Sequence, residues 1–144
     1  MKKNLSVLAY GLMVLGLWGL IATRSLLSPS PFVLVPQAGA VVLMVAARIA
    51  FGLRSFHFAA NPTKGGLVTW GPYRFIRHPI YTSVCLFMVP GVVAHLSLAS
   101  GMFLGLILIG AALRMRFEEA LLVAEYPEYA DYAKKTWRML PYVY

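Results

Sequence analysis

The sequence predicts an all-α integral membrane protein with four membrane-spanning helices, and two observations predict it. Of 144 residues, 60% are hydrophobic and only 12% charged, where a soluble domain has roughly a quarter charged; the mean hydropathy is +0.71. The apolar residues also fall into runs close to bilayer length, separated by proline turns and by basic segments. The length suits one domain, 1–144, with two N-terminal helices in 1–53 and a core of polar segment, helical hairpin and tail in 54–144.

The elements follow in order. Lys2 and Lys3 precede an apolar run, Leu5–Leu27, that is too long for a signal-peptide core and lacks a small-residue cleavage site, so it reads as the first helix. Ser28-Pro29-Ser30-Pro31 makes a turn, because proline restricts itself and the residue before it. Phe32–Leu53 is the second helix, with Arg48 near its far end and able to snorkel to the interface. Arg54–Pro79 is a polar segment carrying Arg54, Lys64, Arg74 and Arg77 and no acid. Ile80–His95 and Leu98–Leu113 form a tight hairpin whose arms are a little short for a bilayer, so thinning or buried ends are expected. The second arm continues as Arg114–Ala124, since nothing breaks the helix before Pro127. The tail, Glu128–Tyr144, reads as an amphipathic C-terminal helix that helps form a cofactor pocket; Tyr126, Tyr129 and Tyr132 recur at helical spacing and read as an interfacial aromatic belt, with a ring capping a pocket as the alternative.

The formal charge of +8 is unevenly placed, for all five acids lie after Phe117. The bases flank apolar spans, a pattern that orients membrane proteins rather than one that binds nucleic acid. It puts both termini and both polar stretches on the cytoplasmic side, with a bacterial inner membrane as the expected setting. Cys85 stands alone in an apolar run and reads as packing. His57, His78 and His95 show no ligand spacing, so no metal is expected.

Two stretches carry the chemistry. Leu67–Ser83, LVTWGPYRFIRHPIYTS, sets Arg74, Arg77 and His78 beside an apolar span, where ionisable groups are costly and by default functional. Its Gly71-Pro72 and His78-Pro79 force turns that expose backbone polar groups. A histidine just before a proline sits where a helix starts, which is a structural place first. The second stretch is Arg114–Glu119, RMRFEE. Arg114 and Glu118 are four apart and share a helix face; Glu118 and Glu119 are the first negative charges in the chain, apt for a cationic ligand.

GPYRFIRHPIYTS, a short hydrophobic hairpin, R-x-R-x-EE and YPEYADYAKKTWRMLP together resemble the isoprenylcysteine carboxyl methyltransferase family, part of a wider group with the phospholipid N-methyltransferases. The resemblance covers about Leu67–Pro141. It implies a membrane enzyme moving a methyl group from S-adenosylmethionine to a prenylated or lipid-like acceptor, in a pocket closed by the polar segment, the hairpin and the helix after it. It implies cofactor contacts at Leu67, Val68, Tyr73, His78, Pro79, Ile80, Tyr81 and Glu118, with Gly65 and Gly66 contributing backbone alone. Arg114 matches the arginine that positions the acceptor. Trp70, Phe75 and Ser83 depart from the family's pattern, and Trp70 bears on acceptor size.

The residues agree with that chemistry. A carboxylate acceptor is anionic near neutral pH and needs no base; Arg114 would hold it bidentately. An amine acceptor would need one, with His78 or Glu119 as candidates. The alternatives are a phospholipid N-methyltransferase, a membrane reductase using a nicotinamide cofactor, and a non-catalytic membrane scaffold.

Overall fold

The computed structural model of the protein describes residues 2–52 and 66–142, with side chains from residue 5 onward. Along them run α1 (Lys2–Ala22), α2 (Pro31–Phe51), a 3-10 turn at Gly71–Arg74, α3 (Pro79–Ala94), α4 (Leu98–Glu125) and the short α5 (Tyr129–Lys135). Arg54, His57, Lys64 and Gly65 lie outside the described residues.

Local chemistry sets the helix starts. Pro31 and Pro79 open α2 and α3, positions where a missing N–H costs nothing. Ser97 and Ser100 form a reciprocal cap on α4: Ser97 Oγ accepts the Ser100 N–H at 3.1 Å, and Ser100 Oγ accepts the Ser97 N–H at 2.9 Å.

Three of the helices, α1, α2 and α4, are long and apolar enough to cross a membrane; α3 is a shorter apolar helix. At 16 residues, α3 is about 24 Å long, less than the roughly 30 Å hydrocarbon core. The 28 residues of α4 reach about 42 Å and outlast it. Leu8, Trp18, Phe32, Val35 and Val42 are exposed along the outer faces. So much contiguous apolar surface belongs in lipid. This is a membrane protein.

Packing pairs α1 with α4 and α2 with α3, while α3 and α4 touch over a much shorter stretch. The hairpin expected to be tight is therefore tight only in its connection. Small residues explain the α1–α4 pairing. A Cβ on Gly110 would sit 2.5 Å from the Ala9 carbonyl oxygen, and one on Gly16 would sit 2.6 Å from that of Phe103, the close backbone approach that packs helices in lipid. Gly110→Ala is expected to destabilise the protein by about 1–3 kcal/mol, read as a lower unfolding midpoint in detergent. Gly105→Ala is the control, since nothing lies within 4 Å of its added atom. Equal midpoints would show that the helices part at no cost.

Away from the polar stretches, the buried Gln37 side chain donates to Leu26 O at 2.7 Å and Phe87 O at 3.1 Å. It ties α2 to the loop after α1 and to α3.

The tail departs from the expected amphipathic helix. After the seven residues of α5 the chain turns back and pairs with the polar segment. Trp137 N–H donates to Phe75 O at 2.9 Å, Arg77 N–H to Trp137 O at 2.7 Å, and His78 N–H to Arg138 O at 3.0 Å. Thr82 Oγ1 adds a bond to Met139 O at 2.9 Å. The aromatic-belt reading needs correction for two rings. Tyr129 is only 2% exposed, and the Tyr132 hydroxyl donates to Tyr73 O at 2.7 Å. They pack inward because the returning tail buries them; Trp137 and Tyr142 stay exposed, rings 5.4 Å apart.

Candidate active site

His78 precedes α3, with φ −124° and ψ 57°, because Pro79 disfavours a helical residue before it. Its carbonyl accepts the Thr82 N–H at 3.0 Å, and its ring is buried. Nε2 lies 3.1 Å from Glu119 Oε1 and Nδ1 lies 3.8 Å from Glu118 Oε2. Since a carboxylate only accepts, Nε2 carries a proton toward Glu119. The histidine thus stands between the two adjacent glutamates.

Three residues later, Tyr81 points across to α4. Its hydroxyl donates to Glu118 Oε1 at 2.6 Å and accepts from Arg114 Nε at 2.8 Å. Arg114 Nη2 reaches the same Glu118 oxygen at 3.3 Å. The expected i,i+4 pair therefore forms, closed into a triangle by a phenol from α3. Arg114 is 6% exposed and bonds Tyr81, which is itself packed with Ala111 and Met115. A guanidinium this buried needs each bond it has. The Glu118 side chain remains 25% exposed, and its Oε2 lies 3.8 Å from His78 Nδ1, beyond hydrogen-bond length.

Glu119 is differently placed. Arg138 grips it with both oxygens engaged, Nε to Oε1 at 3.0 Å and Nη2 to Oε2 at 2.6 Å. Arg77 Nε adds a bond to Oε1 at 3.2 Å, beside that of His78. Arg77 also donates to the carbonyls of Ala133 and Thr136. A carboxylate holding two guanidinium groups and an imidazole joins the polar segment, α4 and the tail at one point. Such a group is a fastener, and it is a poor proton acceptor.

The remaining predicted residues lie on the α2 side. Tyr73 is buried among Ala47, Ala50 and Phe51, and Val68 and Ile80 pack on the same cluster. The turn that delivers it needs Gly71, at φ +61° with Ala50 Cβ 3.2 Å from where a Cβ would sit. Burial first, then Tyr132 and Glu118, raises the Tyr73 phenol above its usual range, with Arg48 opposing. Burial also pushes Tyr132 up to about 12, against Arg77 and a bond with Thr136. Both phenols are neutral donors near pH 7. Pro79 is buried at the start of α3, Leu67 is half-buried and Gly66 exposed. An apolar groove of about 240 Å³ lies elsewhere, between α2 and α3, lined by Met44, Ser83, Phe87 and Met88 among others.

His78, Tyr81, Arg114 and Glu118 thus come together, while Tyr73 packs on the α2 side with Ala47, Ala50 and Phe51. Sequence reasoning missed Arg138, Thr82 and Tyr10, whose ring lies 5.3 Å from the Arg114 guanidinium carbon. No periodicity marks any of the three. Among the described residues, no three histidine, cysteine or acidic side chains are grouped to hold a metal ion.

The chain is 39% identical over 80 residues to the nickel-cobalt-cadmium resistance protein NccN of Alcaligenes xylosoxydans xylosoxydans. The match takes in 52% of this chain and 36% of that protein, so the chain spans little more than a third of the relative's length. No family model matches the chain, and no solved structure matches it.

Proposed function

We propose that the protein is a membrane methyltransferase that moves a methyl group from S-adenosylmethionine to the carboxylate of an isoprenoid- or lipid-like acceptor. In this reading α3 is a fourth, short span, and both termini and the site face the cytoplasm, as the basic residues favour. The observation that carries the proposal is the meeting of Arg114, Tyr81 and Glu118 with His78 at the end of α4. Those are the motif residues of the resemblance, drawn from stretches more than thirty residues apart, and around a carboxylate that is still partly open.

The residues fit the cofactor's chemistry. S-adenosylmethionine, when bound, supplies an electrophilic methyl group on a sulfonium. Glu118 would face its positive charge or ribose hydroxyls, with Gly66–Val68, Tyr73 and His78–Tyr81 shaping the rest of the pocket. Arg114 would hold the acceptor carboxylate, and alignment for in-line displacement would supply most of the rate. No base is required, for the acceptor is already ionised. Glu119 favours that acceptor over an amine, since its two guanidinium partners leave it a poor proton acceptor, and His78 Nε2 is committed to it.

The test is incubation of membranes containing the protein with methyl-labelled S-adenosylmethionine. Label that enters lipid and is released by base is expected, the mark of an ester. Base-stable label would identify N-methylation, and no label would reject the enzymatic reading.

A further inference from the structure

The first two helices carry no motif, yet one of them reaches the site. We propose that Tyr10, on α1, is a positioning residue for Arg114, its ring face holding the guanidinium in the orientation that receives the acceptor carboxylate. This rests on the methyl-transfer reading and adds a residue to it.

The geometry is built from the helix packing upward. Gly110 lets the Ala9 backbone and the Met13 side chain close on α4. Arg114 is one turn further along α4 on the same face, and Tyr10 follows Ala9. The close contact therefore delivers the phenol ring to Arg114, with its centroid 5.3 Å from Cζ. Nε is held by Tyr81 and Nη2 by Glu118; both bonds lie in the plane of the group, and the Tyr10 ring adds a contact at its face. An aromatic face over a guanidinium is attractive, more so when the pair is desolvated. Arg114 is 6% exposed and Tyr10 37%, so the ring also stands as a wall between the cation and the surrounding hydrocarbon. Leucine at this position would keep the wall and lose the attraction.

The experiment compares wild type, Tyr10→Leu, Tyr10→Phe, Arg114→Lys and the double variant Tyr10→Leu/Arg114→Lys. Each is reconstituted in phosphatidylcholine vesicles, with farnesoic acid as the acceptor probe and methyl-labelled S-adenosylmethionine. Tyr10→Leu is expected to raise the acceptor KM about twofold to thirtyfold, leaving the S-adenosylmethionine KM and the unfolding midpoint within about twofold and a few degrees of wild type. Tyr10→Phe keeps the ring and should behave as wild type. In the Arg114→Lys background, Tyr10→Leu should add nothing, because the ring acts through the guanidinium. An unchanged acceptor KM in Tyr10→Leu overturns the proposal, as does a Phe variant equally impaired. A wild type active on the probe with Tyr10→Leu unchanged sinks this inference alone. A wild type that labels neither probe nor membrane lipid sinks the enzymatic reading and takes this one with it.

Discussion

On the proposed methyl-transfer reading, Arg114→Lys is expected to lower kcat/KM for a carboxylate acceptor about a hundredfold, while S-adenosylmethionine affinity changes little. Lysine keeps the charge, so Glu118 is not left facing the loss of its cation. It cannot keep the geometry. Arg114 bonds Tyr81 through Nε and Glu118 through Nη2, and only a planar fork makes both bonds at once. A hundredfold corresponds to about 2.7 kcal/mol, within the range for losing one partner of a buried, hydrogen-bonded charge pair. Steady-state kinetics with each substrate varied in turn would measure it. Wild-type kinetics in the lysine variant would remove Arg114 from the mechanism.

Glu119→Ala is expected to be the most destabilising single change at the site, by about 3 kcal/mol. The side chains of Arg77 and Arg138 are only 13% and 28% exposed, and both lose their carboxylate together. Arg77 retains the Ala133 and Thr136 carbonyls, which soften the loss. The tail should loosen as well, since Glu119 secures Arg138 next to the Trp137 pairing. Denaturant unfolding in detergent reads the first effect, and protease cleavage after Lys135 reads the second. Adding Arg138→Met should restore part of the stability, for one of the two cations that lost Glu119 is then gone. If Glu119→Ala unfolds with the wild-type midpoint, the cluster fastens nothing. Activity loss in this variant should track the loss of folded protein, in contrast to Arg114→Lys.

Much of the framework was legible in the chain. The four apolar runs lie within a few residues of α1 to α4, because hydrophobic length and proline position act locally. The reach of α4 past Arg114 to Glu125 followed from the absence of any breaker before Pro127. Arg114 and Glu118 share a face through the helical period alone. The difference between two adjacent acids was not legible: Glu118 is one corner of the triangle with Arg114 and Tyr81, and Glu119 is saturated by cations from the polar segment and the tail. Residue type is identical there, and only the direction each side chain takes from α4 separates them.

By itself, then, the sequence determined where the helices run, that they belong in lipid, and which polar residues stand near their ends. These follow from transfer free energy and backbone sterics, which depend on neighbours along the chain. Tertiary structure alone decided that α4 packs on α1 rather than on its hairpin partner, that the tail pairs with Phe75–His78, and that Tyr10 covers Arg114. Those outcomes depend on which surfaces approach closely enough to exclude lipid. Gly16 and Gly110 set that approach for α1 and α4.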